Sequence, residues 1–309
     1  MSYPEKVPAD PASNTSFKTR RMRIVLTLGA GSFAGGGNTY TVDNLAMTAN
    51  IEKLAWPDGG KCSAEIVGLP LDVMEQLSTL AFKPHYRAQN YIQIFAGDGD
   101  PESMPQIFKG TITSAGADFN SAPDVKFKIE GQVGYFGRIQ AQGQTAISGS
   151  QDAAAFIEGQ TEAAGFHFRN AGVTASLGNS VYSGSPMQQA QTAAEMIGAE
   201  LIYDDDEAIL LPAGGVIPGE SVALNSASGL LGYPVISQSG IEIKTIFNPY
   251  ARFGGSVTLE TAVPKASGVW RITKLAHKIS ANQPSGGQWE THITGMDAES
   301  AAQSGGPYV

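Results

Sequence analysis

Ile241, Ile243, Thr245 and Phe247 alternate with Glu242, Lys244 and Ile246, the period of two that predicts a strand with one buried face. The alternation resumes at Val257, Leu259 and Thr261, and Asn248-Pro249 and Gly254-Gly255 stand between the two runs. Proline cannot donate to a strand ladder and biases Asn248 toward extended backbone, while the glycine pair admits positive φ. The basic aromatic stretch between them reads as a tight corner. Similar runs predict strands at residues 22–28, 39–51, 61–69, 90–97, 106–119 and 124–133, and again at 220–224, 256–260, 268–280 and 288–296. In the 268–280 run Trp270 and Ile272 share one parity, whereas Leu275, His277 and Ile279 take the other. This requires a bulge near Lys274.

Two regions break the period of two. Val73, Leu77 and Leu80 recur at helical spacing before Lys83-Pro84, predicting a short helix between strands. Residues 140–151 are rich in Gln, Ser, Gly and Ala and read as a linker. Beyond it Ala153, Phe156, Ile157 and Ala164 share a helical face that stops at Gly165. A second helix is announced by Ser185 as N-cap, Pro186 at the first position, Gln188 completing a capping box and Gly198 past the end. Met187, Ala190, Ala194 and Ile197 form its apolar side. Residues 199–203 and 208–212 flank Asp204, Asp205, Asp206 and Glu207 as a hairpin, with the acids expected as a solvated turn.

The resulting fold class is mainly β with a small α/β insert. At 309 residues the chain exceeds one typical domain. The expected division is an N-terminal arm over 1–21, a β-domain over 22–148 with its short helix, the α/β insert over 149–215, a second β-domain over 216–298 and a tail over 299–309. The arm and tail are polar and proline- or glycine-containing, as expected of flexible segments. No apolar run reaches the roughly 18 residues of a spanning helix, so no membrane insertion is expected.

Candidate chemistry is sparse. Gly29, Gly31 and Gly35 follow a strand, but more strand comes next, where a phosphate loop needs a helix, so a hairpin turn is expected. Asp98, Asp100 and Glu102 alternate as in a calcium loop, yet the loop glycine is missing and Pro101 intrudes. Cys62 stands alone, and His85, His167, His277 and His292 are scattered without metal-ligand spacing. Neither a nucleophile elbow nor a zinc-protease helix is present. A carboxylate pair for glycoside hydrolysis depends on separation in space, which leaves a carbohydrate or peptidoglycan hydrolase as one alternative and a β-barrel ligand-binding module as another. No catalytic, cofactor-binding or metal-ligating residue is assigned, and the chain is expected to be no enzyme. The formal net charge of −9 opposes nucleic-acid binding, and the Lys18, Arg20, Arg21 and Arg23 group reads as a solvated run.

Residues 64–82 and 91–100, then 107–131, 185–212, 230–260 and 277–289, are similar in order to stretches of the baseplate hub proteins of tailed bacteriophages. The resemblance spans about Met22 to Met296. It implies two tail-tube-like β-barrel domains per chain, a homotrimer presenting a pseudo-sixfold ring, and a role as adaptor between the sixfold tail tube and the threefold central spike. Implied partners are the tail tube protein or distal tail ring, the central spike protein and the tape measure protein. Genomic DNA would pass through the channel without specific binding, in a virion tail baseplate assembled in the cytoplasm of the host bacterium.

Overall fold

The computed structural model describes residues 19–79, 89–99, 103–237, 240–284 and 286–298. The arm up to residue 18, the tail from 299, Leu80, Lys83-Pro84, His85, Asp100, Pro101 and Glu102 lie outside the described residues. In chain order the first region contains β1 (Arg20–Thr27), β2 (Thr39–Val42), β3 (Ala46–Lys53), β4 (Lys61–Val67), α1 (Leu71–Leu77), β5 (Tyr91–Asp98), β6 (Gln106–Asp118), β7 (Lys126–Gln132) and α2 (Tyr135–Ile139). The middle contains β8 (Thr145–Ile147), β9 (Gln151–Asp152), α3 (Ala153–Ala163), β10 (His167–Asn170), β11 (Ser176–Leu177), β12 (Ser180–Tyr182), α4 (Pro186–Met196), β13 (Ala199–Asp204) and β14 (Glu207–Pro212). The last region contains β15 (Ser221–Leu224), β16 (Val235–Ser237), β17 (Gly240–Ile246), β18 (Ser256–Leu259), β19 (Gly268–Ala281) and β20 (Trp289–Asp297).

One 13-stranded sheet joins the two β-rich regions, in the order β16-β17-β20-β19-β3-β4-β7-β6-β5-β1-β2, with β18 on β19 and β15 on β18. The seam between the regions is the antiparallel pair β3 and β19, from Leu275 opposite Lys53 to Ala281 opposite Met47. Inward positions alternate strictly along it: Met47, Ala49, Ile51 and Lys53 on β3 are all buried. The parity change on β19 is a bulge between Ile272 and Lys274, as its sequence requires. It keeps Ile272 and Leu275 both buried although they differ in parity.

The run at 39–51, read as one strand, is two. β2 pairs with β1, whereas β3 pairs with β4 and β19. The chain turns at Asp43, which Arg23 holds at 2.6 Å, and Asn282 Nδ2 donates to the Asp43 and Leu45 carbonyls at 3.3 and 3.0 Å. These contacts come from residues distant in sequence, and local alternation cannot reveal them. The glycine-rich stretch forms the connection between the antiparallel strands β1 and β2, and Gly29 packs so closely on Gln89 that a Cβ would sit 2.5 Å from its carbonyl oxygen.

The insert follows its sequence signals closely. Ser185 and Gln188 form the capping box of α4, with Pro186 in the first turn. Gly198 ends it at φ +64, and Gly165 follows α3 at φ +90. β13 and β14 form the expected hairpin, and β10 adds to β14 in parallel. The stretch expected as a linker contains β8, which pairs with β12, so this chain segment is built into the insert. α2 docks on α4 through glycine: a Cβ on Gly137 would meet Met187 Sδ at 3.0 Å and the Ala164 Cβ at 2.9 Å. The insert helices thereby share one apolar core with β1 and β3 to β7.

Ile51 is fully buried at the seam, opposite His277 on one side and Cys62 on the other. Ile51→Ala is expected to cost about 2–5 kcal/mol. Because hydrogen bonds run through the seam without interruption, the loss should shift one common calorimetric transition. Two separated transitions, only one of them shifted, would show that the β-rich regions unfold independently.

Candidate functional site

Among the described residues the largest concentration of buried charge lies where the β13–β14 hairpin meets the seam. Glu200, Ile202 and Asp204 alternate along β13 and share one face, and each engages the large sheet or its corner. Arg271 of β19 reaches Glu200 at 2.7 Å and donates through Nε to the Gly215 carbonyl at 2.7 Å. Ile202 packs with Ile209, Leu211, Ile217 and Phe253. Asp204, 3% exposed, binds Lys53 through Oδ1 at 2.6 Å and Arg252 through Oδ2 at 2.7 Å.

Arg252 lies in the corner between β17 and β18, the stretch bracketed by Asn248-Pro249 and Gly254-Gly255. Its Nε meets Asp204, and its two terminal nitrogens meet Glu207 and, at 3.2 Å, Glu220. A guanidinium offers this fan of donors in one plane, which an ammonium cannot. Asn248 accepts from the Tyr250 N–H at 3.0 Å and starts the turn. Gly254 has φ +77, and a Cβ there would sit 2.5 Å from Ile202 Cδ1. A Cβ on Gly255 would sit 2.7 Å from the Glu220 carbonyl oxygen. The glycine pair is thus where the corner presses onto the insert, bringing Phe253 and Arg252 into place together.

The hairpin tip was expected to be a solvated turn, and the structure corrects this. Asp205 accepts from Lys53 Nζ at 3.1 Å and from the Lys109 backbone N–H at 3.0 Å, and Asp206 pairs with Lys109 Nζ at 3.1 Å. Asp205 reaches this geometry at φ +55, a conformation that aspartate tolerates in tight turns. The tip docks on β3 and β6 because those strands carry lysines at its approach. Lys53 is itself the sequence signal: it occupies an inward parity position after Met47, Ala49 and Ile51, where an unpaired ammonium is too costly to bury.

Burial opposes ionisation at every member, and the partners decide the outcome. Against that burial, Lys53 and Arg252 together hold the Asp204 carboxyl well below the usual aspartate range. Asp204 and Asp205 likewise keep Lys53 above its ordinary value, and Asp204 and Glu207 do the same for Arg252. Asp205 moves the other way. Its burial outweighs the pull of Lys53, and the Asp204 charge adds repulsion, so its pKa is raised. His277, fully enclosed near Lys53, is pushed down to about 3 by burial first and by that ammonium second, with Asp204 opposing. Its Nδ1 sits 2.9 Å from Thr291 Oγ1, and its ring lies edge-on to Phe247.

Both carboxylate oxygens of Asp204 and all three guanidinium nitrogens of Arg252 are engaged by protein groups. Such a site fixes the positions of structural elements. The histidines, the cysteine and the alternating acids weighed in the sequence do not gather at this junction, His277 excepted. His167 starts β10, and His292 pairs with Glu290 at 3.0 Å on β20. Asp98 ends β5. Buried Cys62 has its thiol pKa raised to about 12 by desolvation. Among the described residues no group of three or more His, Cys, Asp or Glu could hold a metal ion, and no helix is long and apolar enough to cross a membrane.

A family model described as baseplate hub gp41 matches residues 21–284, which take in the first β-rich region, the insert, the ionic junction and the last β-rich region as far as the end of β19. The chain belongs to this baseplate hub family. The hub is therefore a structural component of a phage tail baseplate. Its fold recurs in solved structures at low identity. The 43 kDa tail protein of prophage MuSo2 from Shewanella oneidensis superposes with a TM-score of 0.60 at 10% identity, over 90% of this chain and 98% of that one. A tail protein from Neisseria meningitidis MC58 gives 0.60 at 9% identity, over 93% and 99%. The E. coli c3393 protein, a type VI secretion component, gives 0.53 at 9%, over 82% and 73%. No curated protein sequence matches.

Two outcomes test the junction of the hub. Asp204→Asn leaves Lys53 and Arg252 buried without their shared counter-charge, and should cost about 3–5 kcal/mol in denaturant unfolding. The pair Lys53→Met with Asp204→Leu removes one charge of each sign and should lose less, since Arg252 keeps Glu207 and Glu220 and Asp205 keeps the Lys109 N–H; equal losses would show that the charge balance does not matter there.

The pH dependence follows from the depressed values. Unfolded, His277 binds a proton below about 6.5, and folded it does so only near 3. The unfolded state therefore takes up more protons between those values, and stability falls as pH drops through that window. Asp204 adds a further loss below 3.8, its unperturbed value, while Asp205, whose pKa is raised by burial, takes up its proton first in the folded state and offsets part of the His277 loss above 3.8. His277→Gln should flatten the limb between about pH 6.5 and 4 in a melting series. An unchanged slope would remove His277 from the account.

Proposed function

We propose that the hub acts as a homotrimer adapting the sixfold tail tube to the threefold central spike, and that the ring it forms encloses the route of genome ejection. The observation that carries this reading is the single sheet in which two β-rich regions flank one insert. Three such chains supply six sheet segments in alternating environments, which reconciles a sixfold neighbour with a threefold one without requiring all contacts to be equivalent. Each chain's two segments are held at one mutual angle by the β3–β19 seam, and the insert is locked onto that seam by Asp204 and Arg252.

The type VI protein of similar fold is itself described as structurally similar to the T4 tail proteins gp27 and gp5, which supports a spike partner on one side of the ring. The tail tube protein or distal tail ring would meet the other side, with the tape measure protein passing through before DNA. Three chains carry a formal charge of −27, three times −9. An acidic or neutral lining repels the phosphate backbone, so DNA would pass without specific binding. In this reading the chain has no enzymatic activity, wall digestion is left to a partner, and assembly takes place in the bacterial cytoplasm.

Light scattering of the purified chain should give three times 32.3 kDa, and negative-stain images should show a ring with a central hole. A strict monomer across micromolar concentrations, with no ring in the images, would reject the trimer.

A further inference from the structure

We infer that residues 229–237 form the edge on which a second copy of this chain docks, through that copy's β2; this rests on the trimeric reading above. The segment runs along the outer side of β17. The Ile246 N–H donates to the Gly229 carbonyl and the Leu231 N–H to the Lys244 carbonyl, each at 2.8 Å, while Val235 and Ile236 stand opposite Glu242 and Ile241. Among the described residues β16 has β17 as its one strand neighbour and ends the large sheet.

The side chains of this edge are apolar and in water. Tyr233 is 75% exposed, Val235 59%, Ile236 46%, Ile246 40% and Leu231 38%. An edge strand is ordinarily protected by charge, because its open backbone groups template the addition of another strand. Here no charged residue occurs from Ser221 to Ile241, between Glu220 and Glu242. That neutrality suits a second copy of this chain as the occupant. Each copy carries −9, so two copies repel wherever their acidic surfaces face each other, and an uncharged apolar strip lets them approach without that cost.

The opposite end of the same sheet supplies the complementary element. Among the described residues β2, Thr39-Tyr40-Thr41-Val42, pairs only with β1 and ends the sheet, and it carries no charge. Pairing β16 with another copy's β16 would be isologous and close as a dimer, whereas pairing β16 with β2 is heterologous and permits a ring. Strand addition supplies main-chain hydrogen bonds, and Tyr233, Val235 and Ile236 supply the side-chain fit.

The test reads mass and covalent proximity on the full chain. Ile236→Lys should lower the scattering mass threefold, from trimer to monomer, with an unchanged circular dichroism spectrum, while Ile236→Val keeps the trimer. Cys62 is buried, so in Thr41→Cys/Ile236→Cys the engineered thiols are the accessible ones. Mild oxidation should link copies into a ladder ending at three chains. A wild-type trimer that survives Ile236→Lys and gives no 41–236 link overturns the edge while leaving the trimer intact. Self-linked dimers from Ile236→Cys alone overturn the β2 partner, and a wild-type monomer overturns both readings. Should Ile236→Lys misfold, the double-cysteine ladder decides.

Discussion

Asp204 takes a charge into a region where neither water nor an isolated ion is tolerated, and the surrounding structure is arranged to keep it there. Lys53 comes from the end of β3, Arg252 from the corner after β17, and Asp204 from the end of β13. These belong to the first β-rich region, the last one and the insert. Among the described residues no other ion pair gathers all three at one carboxylate. The bond directions constrain more than proximity: Oδ1 takes the ammonium and Oδ2 the Nε of the guanidinium, so a rotation of the hairpin would break at least one pair.

An apolar plug in the same place would serve stability as well or better, since desolvating ions offsets most of their attraction. What ions add is geometry. Apolar surfaces slide past one another at little cost, whereas a guanidinium fanned over Asp204, Glu207 and Glu220 has one low-energy arrangement. The neighbouring Ile202, Ile217 and Phe253 supply burial, and the ionic set decides the orientation. For a structural component of a tail baseplate, a fixed angle between insert and sheet matters more than a further margin of stability.

The sequence shows this fold wherever the determining contact is local. The capping box at Ser185 and Gln188, the bulge required by the parity of Ile272 and Leu275, and the corner marked by Pro249 and Gly254 all involve residues within a few positions of each other. Legibility stops where partners are distant. Asp43 ends β2 because Asn282 and Arg23 hold it, and residues 140–151 look like a linker because their ordering depends on β12. The acidic tip reads as solvated because hairpin tips usually are. Lys53 at an inward position and Arg252 between buried Ala251 and Phe253 are the two cations that contradict that default, yet nothing in the sequence states that both point to Asp204.

The distribution of charge divides the molecule into surfaces with different uses. Asp and Glu number 29 against 20 Lys and Arg, and the junction pairs its cations with at least as many acids, so the excess of acids keeps copies of the chain apart. Against that background the uncharged stretch from Ser221 to Ile241 is the exception. It begins one residue after Glu220, a ligand of Arg252, and ends one residue before Glu242, which faces Val235 across the hairpin. The same corner of the fold thus carries the internal clamp on one side and the open edge on the other. β17 connects them: its inward side chains Ile241 and Ile243 are buried in the core, its far end leads into the corner that positions Arg252, and its outer hydrogen bonds carry the strip that ends the sheet.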